Sequence, residues 1–600
     1  MLRGFRWQIA ALLLSASLFL ASLLLRSTDP NTPDAPPTPS PTAQSTPITA
    51  APTTAPAVVA VVDSIPPAEP RFDVPTYREA LIGQVQRLNP LLADLNPVDR
   101  DITALIFEGL VGTNAFGEPT PLLAERWQIT ADNHEYIVFL RDDVRWHDGT
   151  PFTAADVVYT MSLLRSPDFP GPADLYDFWR TVETERLDTH VVRFRLTQPL
   201  GTFLDKLRVG ILPEHALRGT TADLLIDHPF NLTPIGTGPY QRESLRAGPD
   251  GQVEIVDLRA APVYRQRAGV GDDAFPEDAF SIERVRFHIY DTFDAARQAL
   301  QTGAVDGLAT RDYSQRLPLA GDANRYALDL HTQIEPTLGV IIFNWAAEDV
   351  DFFADRRVRV ALATGLDLSS LIERNLDNQA VLANSPLMPG SWAYRNDLPH
   401  HDYDPEAARR LLESTSQLFT IESEDAAADE AAAAPLFTFS ILVPDEPALI
   451  ALTEEIGAQW DSLNLDVTVE AVDSATYLMR LDQGDFDAAL VEYALGGSAD
   501  PDVYAFWHEN AYPDGQNYGG VTDRLISEML EKARTDPYGV NRIIEYHRFQ
   551  RDFVERAIAL PLYYPLFTVA TARHVDGIQL GFIGSPADRF RNIHEWSLTR

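Results

Sequence analysis

The chain is predicted to be an α/β protein with two matched lobes, and three features of its sequence predict it. Leu436–Val443, Ala448–Leu463 and Leu465–Val472 read as strand, helix and strand, with Leu449, Leu452, Ile456, Trp460 and Leu463 on one helical face. Such a β-α-β unit crosses right-handed into a mainly parallel sheet. A helix, a G-x-x-D phrase and a short apolar strand occur at Asp291–Leu300 with Gly303 and Asp306. They recur at Tyr477–Leu481 with Gly484, Asp487 and Ala488–Tyr493. This repetition points to two related modules. The third feature is Tyr136–Thr160, which holds a strand, a tight turn and a helix start in one stretch.

Composition limits the function classes. A chain of 600 residues with 45% hydrophobic and 10% aromatic content can bury a large core, and its length suggests roughly three to four domain-sized units. The net charge of −39 excludes a nucleic-acid partner, because phosphate binding needs a basic footprint. Lys206 and Lys532 are the only lysines. The absence of cysteine removes disulfides, thiolate nucleophiles, Cys-ligated metals and a lipid-modified cysteine.

Residues 1–26 place Arg3 and Arg6 before an apolar run that Arg26 closes. The run is just long enough to span a bilayer, and it is read as an uncleaved anchor with its N-terminus in the cytoplasm; a cleaved signal is the alternative. Residues 27–70, rich in Pro, Thr, Ala and Ser, cannot bury enough surface to offset their ordering entropy and are read as a tether. Anchor and tether together hold the body at an outer membrane face.

In the body, Tyr136–Leu140 and Val191–Leu196 alternate as strands, and Leu105–Val111 is a short apolar segment after a helix. Asp148-Gly149 is a turn, and Thr153 with Asp156 has capping-box spacing. Val157, Val158 and Met161 begin that helix's buried face. Ile235–Tyr240 is a Gly/Pro turn, and Val253–Leu258 and Val285–Tyr290 are strands. Asp404-Pro405 opens a helix with Ala407, Ala408, Leu411 and Leu412 inward. Ile421–Ala434 is a low-complexity insertion loop.

A search for chemistry finds no H-E-x-x-H, G-x-S-x-G or P-loop motif. Gly236-Thr237-Gly238 is interrupted by Pro239, and His400-His401-Asp402 lies on a loop where adjacent histidines rarely converge on a metal. Asn231-Leu232-Thr233 fits a glycosylation sequon. Nothing demands catalysis, a cofactor or a metal. Aromatic side chains beside turns offer ligand-facing surface at Trp146, Trp179, Trp345, Trp392, Tyr394, Tyr493, Trp507 and Tyr512, Trp345 and Trp392 above all.

Several phrases occur in one order: LIFEGLV (105–111), PLLAERWQIT (121–130), LRDDVRWHDGTPFTAADVVYT (140–160), GTGPY (236–240), IIFNW (341–345), DRRVRVALATGLDLSSLI (355–372), YDPEAARRLL (403–412) and DPD (500–502). From about residue 72 to 600 the chain resembles the family 5 extracytoplasmic solute-binding proteins, the oligopeptide- and dipeptide-binding class of ABC importers. The resemblance implies a two-lobed periplasmic-binding-protein-like fold (type II, cluster C) with an extra domain and an interlobe cleft. It divides the body into lobe I (about 72–112, 235–335 and 560–600), an extra domain (about 113–234) and lobe III (about 336–559). The polypeptide would cross near Ile334–Asn344 and Ile558–Leu566.

The implied partners are a small solute, peptide-like or a sugar or metal chelate, and ABC permease subunits, with a monomeric body. A binding or sensor protein without transport coupling is the alternative function. Implied ligand contacts are Asn344, Trp345, Trp392, Tyr493, Leu495, Gly496, Gly497 and Asp500. One departure bears on the ligand: the aspartate that pairs with a peptide's α-amino group is replaced here by Gly497, which leaves Asp500 or Glu492 as substitutes.

Overall fold

The computed structural model describes residues 74–266, 280–377, 379–420, 434–496 and 499–599. The predicted anchor and tether, all of the insertion loop except Ala434, and Gly497 lie outside the described residues. Among the described residues no helix is long and apolar enough to cross a membrane.

One mixed sheet of twelve strands runs through both lobes. In lobe I, Thr76–Ile82 lies parallel to both Arg284–Tyr290 and Gly307–Thr310. In lobe III, Thr438–Pro444 lies parallel to Asp466–Val472 and Ala488–Ala494. The predicted β-α-β unit is therefore present, with Pro447–Asp461 as its helix.

A single long strand, Leu560–Ala572, joins the two halves. Its first residues pair with Thr337–Phe343 and Ala380–Leu382, and its last seven with Leu328–Ile334. The second crossing is at Glu335–Pro336, between two strands that belong to opposite lobes. Both crossings fall inside the predicted ranges.

The repeated G-x-x-D phrase has the same structural use in each lobe. Gly303 and Gly484 follow their helices with φ of 72° and 66°, a left-handed conformation that glycine adopts without steric cost. The aspartate three residues later then accepts a backbone N–H from the neighbouring parallel strand. Asp306 accepts from Arg78 N at 2.9 Å, and Asp487 from Ser440 N at 2.8 Å. Each phrase thus ends a helix and pins the adjacent strand.

The stretch Tyr136–Thr160 folds as read. Glu135–Leu140 is a strand, and Thr153 and Asp156 form a complete capping box for Ala154–Leu164. Tyr136, Val138 and Leu140 are buried, while Phe139 on the other face is covered by the Arg126 guanidinium at 3.5 Å. His147 is a structural corner: its Nδ1 accepts from Gly236 N at 3.2 Å and its Nε2 meets Gly238 O at 2.9 Å. Two sequence phrases, WHDG and GTGPY, hold each other through that one imidazole.

Residues 113–234 carry a separate four-stranded sheet, Ala124–Ile129, Glu135–Leu140, Val191–Arg195 and Glu183–Asp188. Their core is not separate. One buried cluster runs from Tyr77, Val256 and Phe287 of lobe I through Leu105 and Trp146 to Trp179 and Phe203. The extra sheet and lobe I therefore pack as one apolar body. Two further clusters lie on the two faces of the lobe III sheet, around Trp460 and around Trp507.

Candidate functional site

In α/β sheets ligands settle at the carboxyl ends of parallel strands, where backbone polar groups are unpaired and crossovers diverge. Both lobes turn such ends toward the crossing peptides. A cavity of about 250 Å³ in lobe I is lined by Ile82, Thr310 and Arg311 just past two of them. In lobe III, Ala494 at the end of Ala488–Ala494 pairs with Thr337 beside the crossing, and Leu495 N donates to Pro336 O at 2.8 Å.

Glu492 is the polar centre of this region. On its strand Val491 and Tyr493 are buried, whereas Glu492 and Ala494 are exposed. The alternation is a period-2 consequence of the pleat. Glu492 accepts a hydrogen bond from the Tyr563 hydroxyl at 2.8 Å. The path between them depends on Gly339, which pairs with Glu492 on one side and Tyr563 on the other. A Cβ at Gly339 would lie 2.4 Å from the Tyr563 ring, so only glycine lets the ring cross the strand and reach the carboxylate.

Glu335, at the crossing itself, is buried and pairs with the largely exposed Arg311 of lobe I at 2.8 Å. Burial raises the Glu335 carboxyl above its ordinary range, Arg311 opposes this, and Glu492 adds to the rise. Glu492 is open to water yet walled by protein on most sides. That desolvation raises its pKa, the Tyr563 hydrogen bond lowers it, and Glu446 raises it further. Glu335, Glu492 and Glu446 thus lie near the crossing with two arginines, Arg311 and Arg316, three carboxylates against two guanidiniums, a balance that favours a cationic group more than an anion. Among the described residues no group of side chains is arranged to hold a metal ion.

The predicted ligand contacts are scattered by the register. Thr337–Phe343 runs away from the crossing, with Thr337 opposite Ala494 but Phe343 opposite Ala488. Seven residues at about 3.3 Å each put Asn344 and Trp345 roughly 20 Å from the cleft end. Asn344 is buried and bonds Gly484 O and Phe486 O, and Trp345 lies over the Arg359 guanidinium at 3.9 Å. Tyr493 is 3% exposed, its hydroxyl bonded to Gln516 O. Trp392 packs against Tyr546 and donates its backbone N–H to Phe116 O at 3.2 Å. Both Asp500 carboxylate oxygens are bound by Arg542 at 2.6 Å, although burial pushes that carboxyl up to about 6. Among the described members of the set, Leu495 and Gly496 stand beside the crossing peptide, against Pro336.

Other side chains singled out in the sequence serve the fold. Trp146, Trp179, Trp507 and Tyr493 fill cores rather than lining loops, because the apolar area of each is stabilising only when buried. Of the residues beginning the capped helix, Val157 and Met161 are buried and Val158 only half so. Asn231 of the sequon is buried, its Nδ2 bonded to Leu225 O and Ile226 O. His401 Nε2 meets Val554 O at 2.8 Å while His400 pairs with Asp402, so the two imidazoles part. Sequence reasoning missed Glu335, Arg311, Tyr563 and Gly339; only Gly339, inside an apolar strand, carried a signal, since glycine there marks a close approach.

A two-lobed α/β body whose cleft opens at facing strand ends is the architecture of a substrate-binding protein of the ABC-importer class. Residues 118–515 match the family described as bacterial extracellular solute-binding proteins, family 5 Middle, and the chain belongs to that family. It is similar to the oligopeptide-binding protein AppA of Bacillus subtilis (strain 168), 24% identical over 533 residues that cover 86% of this chain and 91% of AppA. The structure of Bacillus subtilis AppA in complex with a nonapeptide superposes with a TM-score of 0.60 at 22% identity, covering 88% of this chain and 99% of that one. The unliganded open form of the periplasmic murein tripeptide-binding protein MppA superposes with a TM-score of 0.70 at 18% identity, covering 88% and 98%. The protein is an extracytoplasmic solute-binding protein.

Proposed function

We propose that the protein captures a small, peptide-like solute through a cationic amine held at Glu492, closes its lobes over it, and delivers it to ABC permease subunits. The observation that carries this reading is the Glu492–Tyr563 pair across Gly339, an exposed carboxylate held in place at a strand end beside the crossing. Asp500 is the weaker candidate for the amine because Arg542 already occupies it. AppA and MppA are named for peptide ligands, which supports the peptide-like class. Lobe I, the extra domain and lobe III are taken at the boundaries given above, with a monomeric body tethered through residues 1–70.

The test is isothermal titration with short peptides and their N-acetylated forms. Binding that acetylation abolishes supports the reading; equal affinity for both forms overturns the amine anchor. Uptake of the bound peptide by cells with and without the protein tests delivery, and equal uptake would remove the transport role.

A further inference from the structure

We propose that lobe III holds a second small-molecule site, apart from the cleft, for an aliphatic amphiphile whose head donates hydrogen bonds and carries no negative charge. A cavity of about 600 Å³ opens there, against about 250 Å³ for the cavity in lobe I. Small-molecule pockets usually measure about 300–1,000 Å³. Its buried floor includes Ala363, Leu366, Ala383, Val554, Ala557 and Leu560, and two of its lining residues, Leu382 and Tyr403, are exposed. Strand register sets it apart from the crossing. Leu560 pairs with Ile341, whereas Leu566 pairs with Ile334 next to the crossing. Six residues at about 3.3 Å each put the cavity roughly 20 Å along the strand from that point. None of its lining residues is among those around Glu492.

Small side chains and a pinned strap keep the space. Alanine stands at 363, 383, 557 and 559, where a larger side chain would fill it. Residues 396–403 form one wall, held at both ends: Arg395 N donates to Gln550 Oε1 at 3.1 Å, and Asp404 N to Thr364 O at 2.9 Å. Between them His401 Nε2 donates to Val554 O at 2.8 Å. Backbone carbonyls along the floor are already taken. Besides Val554 O, Ala557 O accepts from Arg359 Nε at 2.8 Å, and Leu562 O accepts from Ala383 N at 3.0 Å. A floor with its polar groups satisfied holds water poorly and presents an apolar surface to a ligand.

The polar wall selects the head group. A carbonyl can only accept, so His401 Nε2 carries the proton and Nδ1 is left as an acceptor. Asp367 and Asp402 add carboxylates, and Asn384 and Asn396 add neutral amides. Among the described residues no lysine or arginine lines the cavity. A hydroxyl or an ammonium therefore finds acceptors here, whereas a carboxylate would enter without a counter-charge.

The test is photolabelling of the full-length protein with an octanol that carries an aliphatic diazirine, followed by peptide mapping. Label is expected on residues 396–403 and on the segment from Val554 to Pro561. Excess octanol or octylamine should suppress it, and octanoate should do so about tenfold less effectively. Label confined to other segments overturns the site, and equal suppression by octanoate overturns the choice of head. Leu382→Lys sets an ammonium at an exposed lining position and should make octanoate the best competitor; an unchanged order overturns the proposal. Ala383→Leu fills the floor and should cut labelling about tenfold. Full labelling of that variant also overturns the proposal, and Leu382→Lys decides if Ala383→Leu does not fold. Trialanine should leave the label unchanged, because a solute at Glu492 lies elsewhere; suppression by trialanine would place the label in the cleft.

Discussion

Asp500 and Arg542 meet through two contacts of 2.6 Å each, and both side chains are almost wholly shielded from water. A guanidinium and a carboxylate matched this way satisfy each other's charge and fix each other's orientation. The same arginine also reaches Tyr546, Ala533 O and Gly201 O. The DPD phrase is therefore first a structural clamp.

Asp500→Ala should lower stability by about 3–5 kcal/mol, because it strands a buried guanidinium. Denaturant midpoints measure this. The companion outcome is that peptide affinity per folded molecule stays unchanged. A loss of affinity at unchanged stability would make Asp500 a ligand group.

Glu492→Gln should weaken binding of an amine-bearing peptide about 10- to 100-fold, the worth of one charge-assisted hydrogen bond, with little change in melting temperature. Binding should also weaken on acidification. The folded pKa of Glu492 is raised above 4.5, so the carboxylate takes up a proton at a higher pH than an ordinary Glu and then no longer attracts a cation. The stability effect has the opposite sign. Raised pKa values at Glu492 and Glu335 contribute stability that is full below their unfolded values and is lost as pH rises through the folded ones. Titrations at pH 5 and pH 8, on wild type and Glu492→Gln, would show whether the pH dependence of affinity vanishes in the variant.

The twin aspartates should differ in cost. Asp487→Ala removes two hydrogen bonds, from Ser440 N and Ser440 Oγ, worth about 1–3 kcal/mol together. Asp306→Ala removes the bond from Arg78 N and the ion pair with the Arg78 guanidinium, so it should cost more. Urea unfolding of the two variants gives the ranking, and a reversed order would contradict the pinning role.

A net charge of −39 repels itself, and salt shortens the range of that repulsion from about 10 Å at 0.1 M to about 3 Å at 1 M. The melting temperature should therefore rise with sodium chloride over that range. A flat or falling curve would mean that the surface arginine–carboxylate pairs outweigh the excess charge.

Much of the fold was legible from local pattern. The strand, turn and capping box of Tyr136–Thr160, the helix stops at Gly303 and Gly484, and the β-α-β unit all depend on residues within one or two turns of each other, where steric and hydrogen-bond rules act directly on sequence. The site was read less well. Asn344 and Trp345 looked promising because they end a recognisable phrase, but strand direction carries them to the far end of the sheet. Glu335, Tyr563 and Arg311 had no local signature, being one carboxylate, one ring and one cation among many.

The sequence by itself determined the class of protein: the α/β lobes, the doubled G-x-x-D module, and the absence of cysteine chemistry and of a basic face. Only the tertiary structure decided which carboxylate stands open and which is spent. Glu492 and Asp500 are eight residues apart and chemically alike. One is exposed beside Tyr563 and the other is clamped by Arg542, because sheet register and a helix from elsewhere in the chain set their surroundings. Those are long-range contacts, and a side chain's environment, not its identity, fixes whether its charge is available to a ligand.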